Sequence, residues 1–142
     1  QEGTYRLPEA QLDRFLFKLQ VRYPSKEQEK EIVKRKFDAI AINQVLTKQD
    51  IFSAQQLLEN VYVDDKVIEY ITSIVFATRE PMHYKLESIA PYIQYGVSPR
   101  ATLALYHAAK AHALIRGRHF VTPDDVKKVA APVLRHRLMV TY

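Results

Sequence analysis

Tyr95-Gly96-Val97-Ser98-Pro99-Arg100-Ala101 is the stretch from which the rest of the chain can be placed. Ser98 makes a good N-cap because its hydroxyl can accept from a first-turn N–H. Pro99 suits the first helical position, where its missing N–H would have had no partner. A helix therefore opens here. Ala101, Ala104, Leu105, Ala108, Ala111 and Ile115 follow along one stripe, with Leu103, Ala109, Ala113 and Leu114 off it. This helix is expected to end near Arg116, to be packed on most sides, and to admit close neighbours over its alanines. Arg100 falls in the first turn, where the backbone dipoles already supply partial positive charge, so a cation is unfavourable there unless an anion binds beside it. The N–H groups of Arg100 and Ala101, the hydroxyls of Ser98 and Thr102 and the guanidinium could together hold phosphate oxygens. The plainer reading is an arginine in water or paired with a carboxylate such as Glu87.

Downstream, Gly117 is a natural C-cap, and Thr122-Pro123-Asp124-Asp125 opens another helix that runs to about Leu134. Its Val126, Val129, Ala130 and Val133 face a core, and Arg135-His136-Arg137 complements the dipole at its end. Capping accounts for Asp64-Asp65 and for Asp124-Asp125.

Upstream, 79–97 has Pro81, Pro91, Gly96 and three tyrosines without a sustained period, and reads as a long ordered loop. Asp64 caps a helix to about Thr78 with a stripe of Val67, Ile68, Ile71, Ile74 and Val75. Ser53-Ala54-Gln55-Gln56 has capping-box spacing and suggests a short helix to about Asn60, after a connection over 43–50. Ser25 and Gln28 are spaced the same way, opening an amphipathic helix over about 25–41 with Ile32, Val33, Phe37, Ile40 and Ala41 on one face. Phe15-Leu16-Phe17-Lys18-Leu19-Gln20-Val21 reads as a strand, and a lone strand needs a sheet from elsewhere. Before it, Pro8 to Phe15 makes one or two helical turns with Pro8 in first position and Arg14 near the end. The plainer reading of Arg14 is a salt bridge to Glu9 or Asp13. The helices from about 25 onward are expected to pack as one bundle, with residues 1–21 loosely held or paired with another molecule.

With 142 residues, 47% of them hydrophobic, the chain suffices for one domain and a short appendage. There is no cysteine, which removes disulfides and thiolate metal sites; no run is long enough to span a bilayer, and no signal segment is seen. Cytoplasm is the default expectation. Three glycines, none clustered, leave no phosphate loop of the chain's own. His107 and His112, five apart, do not share a helix face, so no metal site is expected. The whole net charge of +5 lies from residue 101 onward, where seven Lys and Arg oppose Asp124 and Asp125. This leaves open a helical interaction module, perhaps for nucleic acid, as the competing reading, although no recognition-helix signature accompanies the charge.

Glu2-Gly3-Thr4-Tyr5, Leu7-Pro8-Glu9-Ala10-Gln11-Leu12-Asp13-Arg14-Phe15, the Tyr95–Ala101 stretch and Val133-Leu134-Arg135-His136-Arg137-Leu138 together closely resemble the C-terminal part of MoxR-type AAA+ ATPases. The resemblance covers nearly the whole chain. It implies a mainly α fold: a helical lid bundle over 23–142, with 1–22 as a remnant of the α/β ATPase core containing one strand. It implies ATP and Mg2+ as cofactors of a parent hydrolase, with the Walker segments upstream and this fragment inactive alone. Arg14 matches the arginine finger that reaches a neighbouring subunit's nucleotide. Arg100 matches the sensor-2 arginine, with Ser98 and Ala101 at the helix start beside the phosphates. The family further implies a ring, a hexamer, acting as a chaperone-like remodelling machine, often with von Willebrand factor A-type partners; nucleic acid is not among the expected partners. The chain departs from the family at Arg6, where proline is common, and over 80–86.

Overall fold

A computed structural model describes residues 7–35 and 42–141. The Glu2–Tyr5 block, Arg6, and Phe37, Ile40 and Ala41 of the expected 25–41 helix lie outside the described residues. The described part is mainly helical: α1 (Glu9–Leu12), α2 (Lys26–Lys34), α3 (Lys48–Glu59), α4 (Asp65–Arg79), α5 (Pro99–Ile115) and α6 (Pro123–Leu134), with β1 (Ile93–Tyr95) and β2 (Met139–Val140). The β1–β2 pair is antiparallel, with Ile93 opposite Val140 and Tyr95 opposite Met139.

Helix α5 is the centre of the packing, lying most extensively on α6, then on α4 and α3. Its Ala101, Leu105, Ala108, Ala109 and Ala113 are buried against Val67, Ile71 and Val75 of α4 and Val126, Val129 and Val133 of α6. Small side chains on α5 let these helices approach closely. The expected stripe holds through Ala108 but not to its end, since Ile115 is 83% exposed beyond the reach of its neighbours.

The helix starts follow their caps. Ser98 and Asp64 each accept from a first-turn N–H, and Thr122 and Asp125 form a reciprocal capping box. At the end of α5, the Arg118 N–H reaches the Ala113 carbonyl and the Gly117 N–H that of Leu114, while Gly117 turns through φ +72°. This is a Schellman closure, which favours glycine. The stretch leading into α5 is fixed from α4: the Val97 N–H donates to the Thr78 hydroxyl (3.1 Å), and Arg79 Nε donates to the Val97 carbonyl (2.8 Å). Gly96 is pressed so close that a Cβ would lie 2.5 Å from the Thr78 carbonyl oxygen.

Four expectations are corrected. The N-cap of helix α3 lies six residues before Ser53, because Thr47 and Asp50 form a capping box with aspartate in the reciprocal position. Pro8 is the N-cap of α1 rather than its first residue. The 15–21 segment forms no strand; it has no ladder partner among the described residues, and its Lys18 N–H donates instead to the Pro132 carbonyl (2.9 Å). The 79–97 loop holds two short 3-10 turns, Pro81–Tyr84 and Ala90–Tyr92, followed by β1.

The bundle expectation is also revised at both ends. Helix α2 has its capping box but buries no residue, leaving Ile32 and Val33 exposed. Residues 13–18, by contrast, are tied to the end of α6.

Candidate functional site

The site is built where three distant segments meet: the turn after α1, the start of α5 and the end of α6. Ser98 uses its hydroxyl twice. It accepts from the Arg100 N–H (3.2 Å) as the cap and donates to Asp13 Oδ2 (2.9 Å). The same Asp13 oxygen lies 3.6 Å from Arg100 Nη1, and Asp13 Oδ1 accepts from Arg137 Nε at 3.1 Å. One carboxylate thus receives a hydroxyl and two guanidinium groups. Its partners are Arg100 and Arg137, not Arg14, which removes the Asp13 salt bridge as the explanation for Arg14; Glu87 likewise is not the partner of Arg100.

Around this knot lies an open concavity of about 420 Å3, lined by Asp13, Arg14, Arg100, His107 and Arg137 with Leu16, Leu103 and Ala104. Arg100, Leu103, Ala104 and His107 come from a single face of α5, as their helical spacing requires. Arg14 and Arg100, singled out separately in the sequence, therefore border the same space. Its lining carries three arginines and one carboxylate among the described residues, a balance that favours an anion. Arg100 is 56% exposed, available to a ligand.

The amides at the helix start differ from expectation. The Arg100 N–H is taken by the Ser98 hydroxyl and the Ala101 N–H by the Ser98 carbonyl (2.9 Å), with Ala101 fully buried. Ser98 satisfies both, as an N-cap does, which leaves the side chains of Arg14 and Arg100, rather than these amides, as the exposed donors on the concavity.

Sequence reasoning missed Asp13 and Arg137 as parts of the site. Asp13 was a candidate partner of Arg14 alone, and Arg137 was explained by the helix dipole. No local spacing could have joined them, since they are 124 residues apart.

A second charged cluster lies elsewhere and is structural. Asp125 is buried and accepts from Arg118 through both oxygens (2.8 and 2.5 Å), from the Thr122 N–H and hydroxyl (2.8 Å each), and lies 2.7 Å from His112 Nδ1. Hydrogen bonds from Arg118, more than from the others, hold its carboxyl far below the usual carboxylate range. Asp125 is therefore more than a cap: it locks the start of α6 to the end of α5.

Comparisons with known proteins agree with one another. The AAA lid domain family matches residues 86–141. Chaperone MoxR1 of Mycobacterium tuberculosis is 44% identical over 142 residues, covering 99% of this chain and 38% of that protein. The uncharacterised protein YeaC of Bacillus subtilis is 42% identical, covering 98% of this chain and 42% of YeaC. The chain thus spans less than half the length of these relatives. A crystal structure from Cytophaga hutchinsonii, of a protein assigned as an ATPase, superposes with a TM-score of 0.89 at 40% identity, covering all of this chain and 44% of the other.

Proposed function

Because this chain belongs to the MoxR-type AAA+ ATPases, matching their C-terminal part, we propose that it is the nucleotide-sensing lid of a ring-forming ATPase that remodels partner complexes. In this reading residues 1–22 close the ATPase core and 23–142 form the lid. The carrying observation is that Arg14 and Arg100 line one concavity. Two cations on one space serve one nucleotide. If Arg14 is the finger offered to a neighbouring subunit, Arg100 reaches that same neighbour's phosphates, with the Ser98 hydroxyl beside it.

The residues present fit the group. Arginine forks match phosphate oxygens, and a space of about 420 Å3 lies within the roughly 300–1,000 Å3 usual for small-molecule sites. ATP with Mg2+ supplies the phosphoryl transfer. This chain's part is to place Arg14 and Arg100 where charge develops on the terminal phosphates, with Arg100 carried by the lid. Asp13, which occupies Arg100 and Ser98 here, is the internal anion that a phosphate would displace. The Ala101 amide would join only by leaving the Ser98 carbonyl. The chain alone is proposed to be inactive in hydrolysis, and von Willebrand factor A-type proteins are the proposed partners.

The nucleic-acid reading is weakened by where the basic residues go. Arg137 is buried on Asp13, Arg118 is bound to Asp125, and Lys110 is buried with its ammonium on the Glu59 carbonyl (3.1 Å).

The test is made in the full-length protein. Arg14→Ala and Arg100→Ala should each slow ATP hydrolysis, and each should recover activity when mixed with subunits disabled in their own phosphate loop. No recovery in rings shown to be mixed would count against the shared site.

A further inference from the structure

Arg137 lies beyond the last residue of α6, yet its side chain is only 3% exposed. Complementing a helix dipole does not require burial, and a buried guanidinium is tolerated only when its N–H groups find acceptors. They do. Nε donates to Asp13 Oδ1 (3.1 Å), and Nη2 to the carbonyls of Asp13 (3.1 Å) and Phe15 (2.6 Å). Nη1 donates to the carbonyls of Leu16 (3.2 Å) and Val133. Apart from Val133, every acceptor belongs to a residue flanking Arg14 on one side or the other. His136 reinforces the grip through Nε2 to the Phe15 carbonyl (2.9 Å).

We propose that Arg137 is a positioning residue for Arg14: its guanidinium fork clasps the backbone before and after Arg14 and so aims that side chain into the concavity shared with Arg100. The proposal rests on the reading of Arg14 as a nucleotide-contacting cation. Fixing 13–16 in advance removes the ordering cost that a mobile arginine would incur at the moment of reaction. The clasp also fixes Arg14 relative to Arg100. Arg137 holds the carbonyls of Phe15 and Leu16 from the end of α6, and α6 packs on α5, which carries Arg100. A lysine cannot replace the fork, because one ammonium cannot span acceptors on three residues.

The experiment uses full-length rings, with assembly checked by size and folding by thermal melting. Arg137→Gln should lower kcat roughly 10- to 100-fold, the scale of a small misplacement, with KM for ATP unchanged. The Arg14→Ala/Arg137→Gln double variant should be no slower than Arg14→Ala, because the clasp acts only through Arg14. Mixed with subunits disabled in their own phosphate loop, Arg137→Gln should recover activity as Arg14→Ala does. Losses that multiply in the double variant, no recovery on mixing, or an unmodified rate for Arg137→Gln while Arg14→Ala is slow would overturn the positioning role and leave the reading of Arg14 intact. An unmodified rate for Arg14→Ala would instead overturn both. Should Arg137→Gln fail to assemble, Arg137→Lys, which keeps a positive charge on Asp13, carries the same comparisons with a smaller expected loss.

Discussion

The Ser98 hydroxyl donates to the Asp13 carboxylate at 2.9 Å across 85 residues of sequence, while the same oxygen caps α5 by accepting from the Arg100 N–H. The helix cap and the tie to the N-terminal segment are thus one atom. Ser98→Ala removes both. The expected loss of stability is about 1–2 kcal/mol, at or above that of an ordinary N-cap. Denaturant unfolding of the chain measures it, and Ser98→Asn, which can still cap, should recover the cap but not the bond to Asp13. A midpoint unchanged by Ser98→Ala would show that neither contact matters.

Gly96 should tolerate no side chain. A Cβ there would meet the Thr78 carbonyl oxygen at 2.5 Å and Cγ of Arg79 at 2.8 Å, and the carbonyl belongs to backbone that cannot step aside without disturbing the end of α4. Gly96→Ala is expected to cost about 1–3 kcal/mol, as overpacking does. Thermal melting checks it. An unshifted Tm would mean that the β1–α5 connection has more freedom than the Thr78 and Arg79 bonds to Val97 suggest.

How far the sequence could be read depended on where its information is local. The starts of α4, α5 and α6 were legible because Asp64, Ser98-Pro99 and Thr122-Pro123 state a cap at the position where it acts. Helix α3 was misplaced because Thr47 and Asp50 make the box with the shorter acidic residue, while Ser53 offered a more familiar spacing inside the helix. Alternation over 15–21 was legible, but alternation reports side-chain direction and not a pairing partner. The candidate site divided in the same way. Arg100 was legible from its place in the first turn of α5, and the roles of Arg14 and Arg100 from the resemblance, whereas their meeting, and the Asp13–Arg137 clasp behind it, depend on contacts between residues far apart in sequence that no periodicity encodes.

Asp125 gives a pH prediction of definite sign. Its folded-state carboxyl is depressed below the ordinary 3.8, chiefly by hydrogen bonds from Arg118, so its charged form is favoured by folding. Its contribution is present in full well above 3.8 and is lost as pH falls through that value toward the depressed folded one. Asp125→Ala should cost about 3 kcal/mol near neutral pH, because it leaves Arg118 and the α6 cap without their acceptor. The gap between variant and parent should narrow as pH is lowered below 4. Urea midpoints across pH measure both, and a gap independent of pH would assign the loss to packing rather than to the ion pair.

Arg100 separates a phosphate contact from a surface arginine by two readouts taken together. Its guanidinium is more than half exposed and 3.6 Å from Asp13, a geometry in which an ion pair contributes at most about 1 kcal/mol. Removing it should therefore leave the melting temperature of the chain nearly unchanged, since relief of a cation in the first turn of α5 offsets part of the loss. Hydrolysis by the full-length protein should respond very differently, with Arg100→Ala slowing it up to roughly 100- to 1,000-fold, the scale of losing one preorganised charge donor. Arg100→Lys should recover little, because an ammonium lacks the planar fork that spans two phosphate oxygens. Exposed side chains that carry little stability but much activity are those that wait for a ligand, and the concavity shared with Arg14 supplies the place. If Arg100→Ala hydrolyses ATP at the unmodified rate in assembled rings, the sensor assignment is wrong, and the arginine is a solvated partner of Asp13.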